Sequence, residues 1–202
     1  GDFTVSAATS AGGALVDLTV AGIADGAFSS TDLDIAVDAV ADVSAGTIGN
    51  AAALDQTVDD GIAPTFVSAQ TTSLTNIRLT FSEAVTVVTA SGTDFGIGGL
   101  TITGAASFSA TEVDLTVDPL SGTDFTSTDL DISAGAVEDG GSNPVASTLD
   151  QTIADGAAPV LLSAQTTSLT NIRLTFSEDV TVSTPAGTEF TSGDFTVSAA
   201  TS

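Results

Sequence analysis

The chain has 202 residues, 26 of them acidic and two basic (Arg78 and Arg173), a formal net charge of −24, and no Cys, His, Trp or Tyr. Lys is missing too, so disulfides, thiolate metal sites and His-, Cys- or Lys-based catalysis are excluded, and the charge repels nucleic acid and anionic membrane surfaces. An apolar fraction of 42% supplies a core and excludes disorder, and no apolar run approaches the roughly 18 residues of a membrane-spanning helix.

Taken in chain order, apolar residues alternate with Thr, Asp and Ser over short stretches, a two-residue period that predicts strands. VDLTV begins at Val16, TDLDI at Thr31 and LDQT at Leu54. After Pro64 a strand is expected over Thr65–Gln70. The next covers Asn76–Phe81, with Ile77, Leu79 and Phe81 on one face and Arg78 and Thr80 on the other. Val85 and Val87 continue beyond a tight Ser82-Glu83 turn. Leu100 and Ile102 mark the following strand, then Val113, Leu115 and Val117, then Leu130 and Ile132. A last strand surrounds Leu149 to Ile153. About seven strands with Gly, Asp and Ser turns between them predict an all-β antiparallel sandwich, its apolar residues and Phe side chains inside and Thr, Asp and Ser outside.

Internal repetition sets the domain plan. SAQTTSLTNIRLTFSE occupies Ser68–Glu83 and again Ser163–Glu178; VDLTV returns at Val113, TDLDI at Thr128 and LDQT at Leu149. The offsets are 95 to 97 residues, and Asp-Gly-x-Ala-Pro closes each block at Asp60–Pro64 and Asp155–Pro159. Residues 1–64 read as the later part of one repeat, 65–159 as a complete repeat and 160–202 as the opening part of a third. GDFTVSAATS stands at 1–10 and again at 193–202. Two arrangements fit: an excerpt of a longer polypeptide, or a subunit whose open domain is completed by its neighbour. The duplicated ten residues favour the first.

The FSE-x-V sequence after an alternating NIRLTF strand, together with the Asp-Gly-x-Ala-Pro junction, resembles the tandem immunoglobulin-like repeats of bacterial and archaeal S-layer proteins and giant surface adhesins. That resemblance implies an extracellular or cell-surface location, tandem immunoglobulin-like sandwiches and, often, calcium dependence. The junction is also similar to that of cadherin-type modules, although the dense acidic string of the cadherin linker is missing here.

Calcium is therefore the expected cofactor, since it takes six to eight hard oxygen ligands. The candidate ligands at the junctions are Asp59, Asp60 and Asp155 with Glu83 and Glu178 of the adjoining FSE turns; Asp60 and Asp155 also suit plain turns. A second candidate set is the D-x-D pair Asp32 and Asp34 with its equivalents Asp129 and Asp131, because residues two apart in a strand share a face and like charges that close need a cation. Each Arg is expected to pair with a nearby carboxylate, with docking of a partner as the alternative. Among 26 acids some proximity is inevitable, so carboxylate pairs are no sign of catalysis and no enzyme is expected. The expected function is an extracellular structural repeat protein forming a fibre, stalk or surface layer, with copies of itself in a head-to-tail array as partners and no nucleic acid. The alternatives are an adhesin's ligand-binding module and a pilin-like subunit that polymerises by strand exchange.

Overall fold

The computed structural model describes residues 4–21, 23, 30–43, 48–120, 125–182 and 195–198. The described residues form strands, turns and loops and no helix. β1 (Val5–Gly12) pairs with β2 (Leu15–Val20), and β3 (Ser30–Ile35) with β4 (Ala53–Val58), each pair a separate two-stranded sheet. The 65–159 repeat holds β5 (Phe66–Ser73), β6 (Asn76–Phe81), β7 (Thr86–Val87), β8 (Phe95–Ile97), β9 (Ile102–Ser107), β10 (Glu112–Val117), β11 (Ser127–Ile132), β12 (Val137–Glu138) and β13 (Thr148–Ala154). β14 (Leu161–Ser168) and β15 (Asn171–Phe176) form a third isolated hairpin.

Seven strands of the complete repeat make one sheet in the order β8-β11-β13-β5-β6-β10-β9, and β7 pairs with β12. Edge strands β8 and β9 approach each other, so the expected pair of facing sheets is a single sheet curled over on itself in a sandwich-like all-β fold. β8 and β12 were not legible as strands: at three and two residues, they are too short to show a period.

The alternation of NIRLTF is as expected, with Ile77, Leu79 and Phe81 buried and Asn76, Arg78 and Thr80 half-buried. Opposite them Val113, Leu115 and Val117 of β10 bury the same face, in a register that pairs Leu115 with Ile77 and Val113 with Leu79. Ala69, Phe95, Ile97, Leu130, Ile132, Val137 and Ile153 complete one cluster, and Phe66 meets Phe81 edge-on with ring centroids 6.3 Å apart. Each fully buried aliphatic side chain contributes about 1.5–3 kcal/mol. Among the described residues, the buried members of this cluster fall between Ala69 and Ile153. The expectation that Phe fills the core fails at Phe108, which is exposed and lies beneath the Arg78 guanidinium, 3.2 Å from its ring centroid. A flat π face there attracts a cation that the strand has already placed outside.

β5 opens the repeat, β13 closes it, and the two are parallel neighbours, with Ile153 beside Ala69 and Ala154 beside Gln70. The polypeptide therefore enters this repeat at one end of the sheet and leaves at the other. At the exit the buried Thr71 hydroxyl donates to Asp155 Oδ1 (2.9 Å) and accepts from the Gly156 and Ala157 N–H groups (2.9 and 3.1 Å). Gly156 sits so close that a Cβ there would lie 2.7 Å from the Thr71 carbonyl oxygen.

Within one repeat, Leu115→Ala is expected to cost about 2–5 kcal/mol in urea unfolding, because it empties a closed core position. Leu149→Ala, at a site 62% exposed, is expected to stay within about 0.5 kcal/mol.

Candidate metal centre

At the entry end of the complete repeat, Asp60 of the junction, Glu83 of the turn after β6 and Asp139 of the loop after β12 offer carboxylate oxygens that all lie within 4.8 Å of one another. Glu83 and Asp139 are each only 4% exposed, and Asp60 is half-buried. β6 runs antiparallel to β5, so its last residue, Phe81, returns to the level of Phe66 and delivers the FSE turn to the incoming junction. Ser82 fixes that turn: its Oγ accepts from Thr65 N–H at 2.9 Å and its N–H donates to the Thr65 carbonyl.

The loop after β12 reads Asp139-Gly140-Gly141-Ser142-Asn143. Asp139 Oδ1 accepts from the Asn143 main-chain N–H at 2.8 Å, and Asn143 Nδ2 donates both to Asp139 Oδ2 (2.9 Å) and to the Asp60 carbonyl (3.0 Å). One amide thus ties the loop to the junction. Gly141 lets the two approach, since a Cβ there would crowd the Asp60 carbonyl oxygen at 3.0 Å and Asn143 Nδ2 at 2.9 Å. Asp60 divides its carboxylate: Oδ1 accepts from Ile62 N–H in a local turn (3.0 Å), whereas Oδ2 is buried and receives no hydrogen bond. Burial pushes the Asp139 carboxyl up, but hydrogen bonds from the Asn143 main chain and amide and from Gly141 N–H outweigh it and hold the group below its ordinary value of 3.8.

Three carboxylates this close repel unless a proton or a cation stands between them. Arg78 holds Asp114 in a two-pronged pair (Nε–Oδ1 2.8 Å, Nη2–Oδ2 3.0 Å), and that hydrogen bond raises its pKa further. Arg173 lies on the β14–β15 hairpin. The buried triad Asp60, Glu83 and Asp139 can hold a metal ion.

The other expected ligands are placed differently. Asp59 is exposed and outside the triad. Asp155 is exposed and held by Thr71 and Ala157 N–H. Glu178 is half-buried in the turn after β15, where Ser177 repeats the bond of Ser82 by accepting from Val160 N–H. In the D-x-D pairs, Asp34 Oδ1 accepts from Asp55 N–H and Asp131 Oδ1 from Asp150 N–H (2.9 and 3.0 Å). Asp55 and Asp150 adopt φ of 53° and 56°, so the second Asp of each pair supports a left-handed residue in the neighbouring strand. Asp32 and Asp129 are exposed. Among the described residues, neither pair joins a group of three acids.

Asp139 escaped the sequence reading. Its equivalent is Asp42, where Val40-Ala41-Asp42 matches Val137-Glu138-Asp139. Asp42 makes the same bracket around Ile48 that Asp139 makes around Asn143: its N–H donates to the Ile48 carbonyl and its Oδ1 accepts from Ile48 N–H. No protein-family model, curated protein or solved structure matches the chain.

A carboxylate whose folded pKa is depressed stabilises the fold above its unfolded pKa, and that stability is lost as pH falls through the folded value. Melting midpoints of the metal-free chain are therefore expected to drop as pH falls below about 4, and Asp139→Asn is expected to flatten that dependence in calorimetry between acidic and neutral pH.

Proposed function

We propose that this chain is an extracellular structural repeat protein, built of tandem immunoglobulin-like sandwiches, whose junctions are locked by calcium. The observation that carries the reading is the triad's composition: Asp60 belongs to the junction, whereas Glu83 and Asp139 belong to the repeat that follows. An ion held by all three clamps the incoming linker to the next sandwich. Calcium suits the site best among common ions, because every donor is a hard oxygen, three carboxylates supply strong negative charge, and the ligands come from three separate segments that need no rigid octahedron.

Parallel β5 and β13 support an array, since entry and exit at opposite ends string repeats in a line. Repetition of whole strands at 95 to 97 residues supports reach set by repeat number. The net charge of −24 keeps such an array soluble and makes cations its natural partners. No Trp or Tyr is present to build the aromatic surface that recognition sites favour, which weighs against an adhesin's ligand-binding module.

Calcium at about 100 times its dissociation constant is expected to add about 2.7 kcal/mol to the repeat, raising its melting midpoint by about 10 °C or more. The combined variant Glu83→Gln, Asp139→Asn is expected to melt at one temperature with calcium or with chelator. An unchanged midpoint of the unmodified chain on chelation would remove calcium as a structural ion.

A further inference from the structure

The three acids of the junction site reach it with unequal support. Glu83 follows Ser82, which is pinned to Thr65 through both its Oγ and its N–H. Asp139 opens a loop closed by a bracket: its N–H donates to the Asn143 carbonyl, and its Oδ1 accepts from Asn143 N–H at 2.8 Å. Asp60 is the ligand carried by the linker. The bond from Ile62 N–H to its Oδ1 shapes the linker's own turn and does not attach it to the sandwich. The bond from Asn143 Nδ2 to the Asp60 carbonyl, at 3.0 Å, does.

The Asn143 amide is not needed for the shape of its own loop. Asp42 and Ile48 form the same bracket, at 3.0 and 3.1 Å, around a side chain that offers no donor. The neighbouring residues bridge alike, Ala41 with Gly49 and Glu138 with Pro144. What the amide adds is one hydrogen to Asp139 Oδ2 at 2.9 Å and one to the Asp60 carbonyl, so both of its donors serve to join loop and linker. It takes the main-chain oxygen of Asp60 and leaves carboxylate Oδ2 buried without a hydrogen bond, within reach of the other two acids. The amide is also neutral. A Lys or Arg in its place would draw the acids together but cancel the charge that attracts an ion.

We propose that Asn143 is the positioning residue of this metal centre: by holding the Asp60 main chain against Asp139, it assembles the three carboxylates before calcium arrives and so sets the affinity of the junction for the ion. Asn143 acts through the ligands and is not one itself. Ordering a linker costs free energy that is otherwise taken from binding, and a donor that orients a metal ligand from outside typically accounts for about ten- to a hundredfold in metal affinity. Gly141 permits the close approach on which the tie depends. The chain carries two versions of this loop. The one with Ile48 keeps the acid, Asp42, and the bracket but has no amide at the matching place, so loops of that kind are expected to hold calcium more weakly. The inference rests on the calcium reading above for the identity of the ion.

The test combines calorimetric titration of calcium into the chelator-stripped 202-residue chain with amide exchange followed by NMR. Asn143→Ile copies the other loop, and Asn143→Ala keeps the side chain only as far as Cβ. Both variants are expected to bind calcium about tenfold or more weakly than the unmodified chain. Without calcium, the Ile62 N–H, bonded to Asp60 Oδ1, is expected to exchange about fivefold or more faster in the variants, and saturating calcium is expected to restore it. The amides of Ile77 and Leu115 report the core and are expected to stay unchanged. Equal calcium affinity in the unmodified chain and both variants overturns the proposal, as does Ile62 exchange that neither variant alters. Faster exchange at Ile77 and Leu115 in both variants also overturns it, because Asn143 would then support the fold at large. An unmodified chain that binds no calcium removes the clamp and this role with it; an unmodified chain that binds calcium no better than its variants removes the positioning role alone.

Discussion

Closure of the sandwich depends on one hairpin. β5 and β6 occupy the centre of the seven-stranded order, and through them the β8-β11-β13 half and the β10-β9 half become a single sheet with a common core. Ile77, Leu79 and Ala69 face Leu115, Val113 and Ile153 there, all buried. The same sequences at β1–β2 and β14–β15 form the same local pairs outside that sheet, and there Val16, Leu18 and Ile172 are exposed. Local pairing is thus encoded within each hairpin, while burial, which supplies most of the stability, is encoded between hairpins that are far apart in sequence.

Charge is the second constraint. With 26 acids and two Arg, most carboxylates have no cationic side chain to meet. The fold disposes of them in three ways. Many stay in water; Asp34, Asp131 and one oxygen each of Asp60 and Asp155 accept main-chain N–H groups in turns and bulges; and three converge at the entry to the repeat. Asp114 takes Arg78, which gains a ring beneath it from Phe108. The parallel placement of β5 and β13 puts the convergent acids at the end of the sheet where the chain enters the 65–159 repeat, opposite the end where it leaves.

The strands of the complete repeat were legible because their burial alternates with period two: NIRLTF and EVDLTV show it residue by residue. β8 and β12 were not, being shorter than one full alternation. Curling of one sheet in place of two facing ones depends on which hairpins become neighbours, and periodicity is silent about that. At the site, Asp60 and Glu83 were legible from their place at the junction, but Asp139 was hidden by a change in repeat length. Five residues separate Asp42 from Ile48 and three separate Asp139 from Asn143, which moves the offset from 97 to 95 beside the ligand. In the D-x-D motif Asp131 accepts the Asp150 N–H across the bulge, a role in the backbone that strand periodicity does not show.

The repeats carry their own control for the central claim, that burial follows the hairpin and not the strand sequence. VDLTV stands at both 16–20 and 113–117, and NIRLTF at both 76–81 and 171–176, so intrinsic amide exchange rates match within each pair. Hydrogen exchange of the 202-residue chain is the direct measurement. The account predicts protection in 76–81 and 113–117 larger by about a thousandfold or more than in 171–176 and 16–20, the scale of a modest global stability. Equal protection within the two pairs would contradict it, since identical strands would then be equally stable inside and outside the buried cluster.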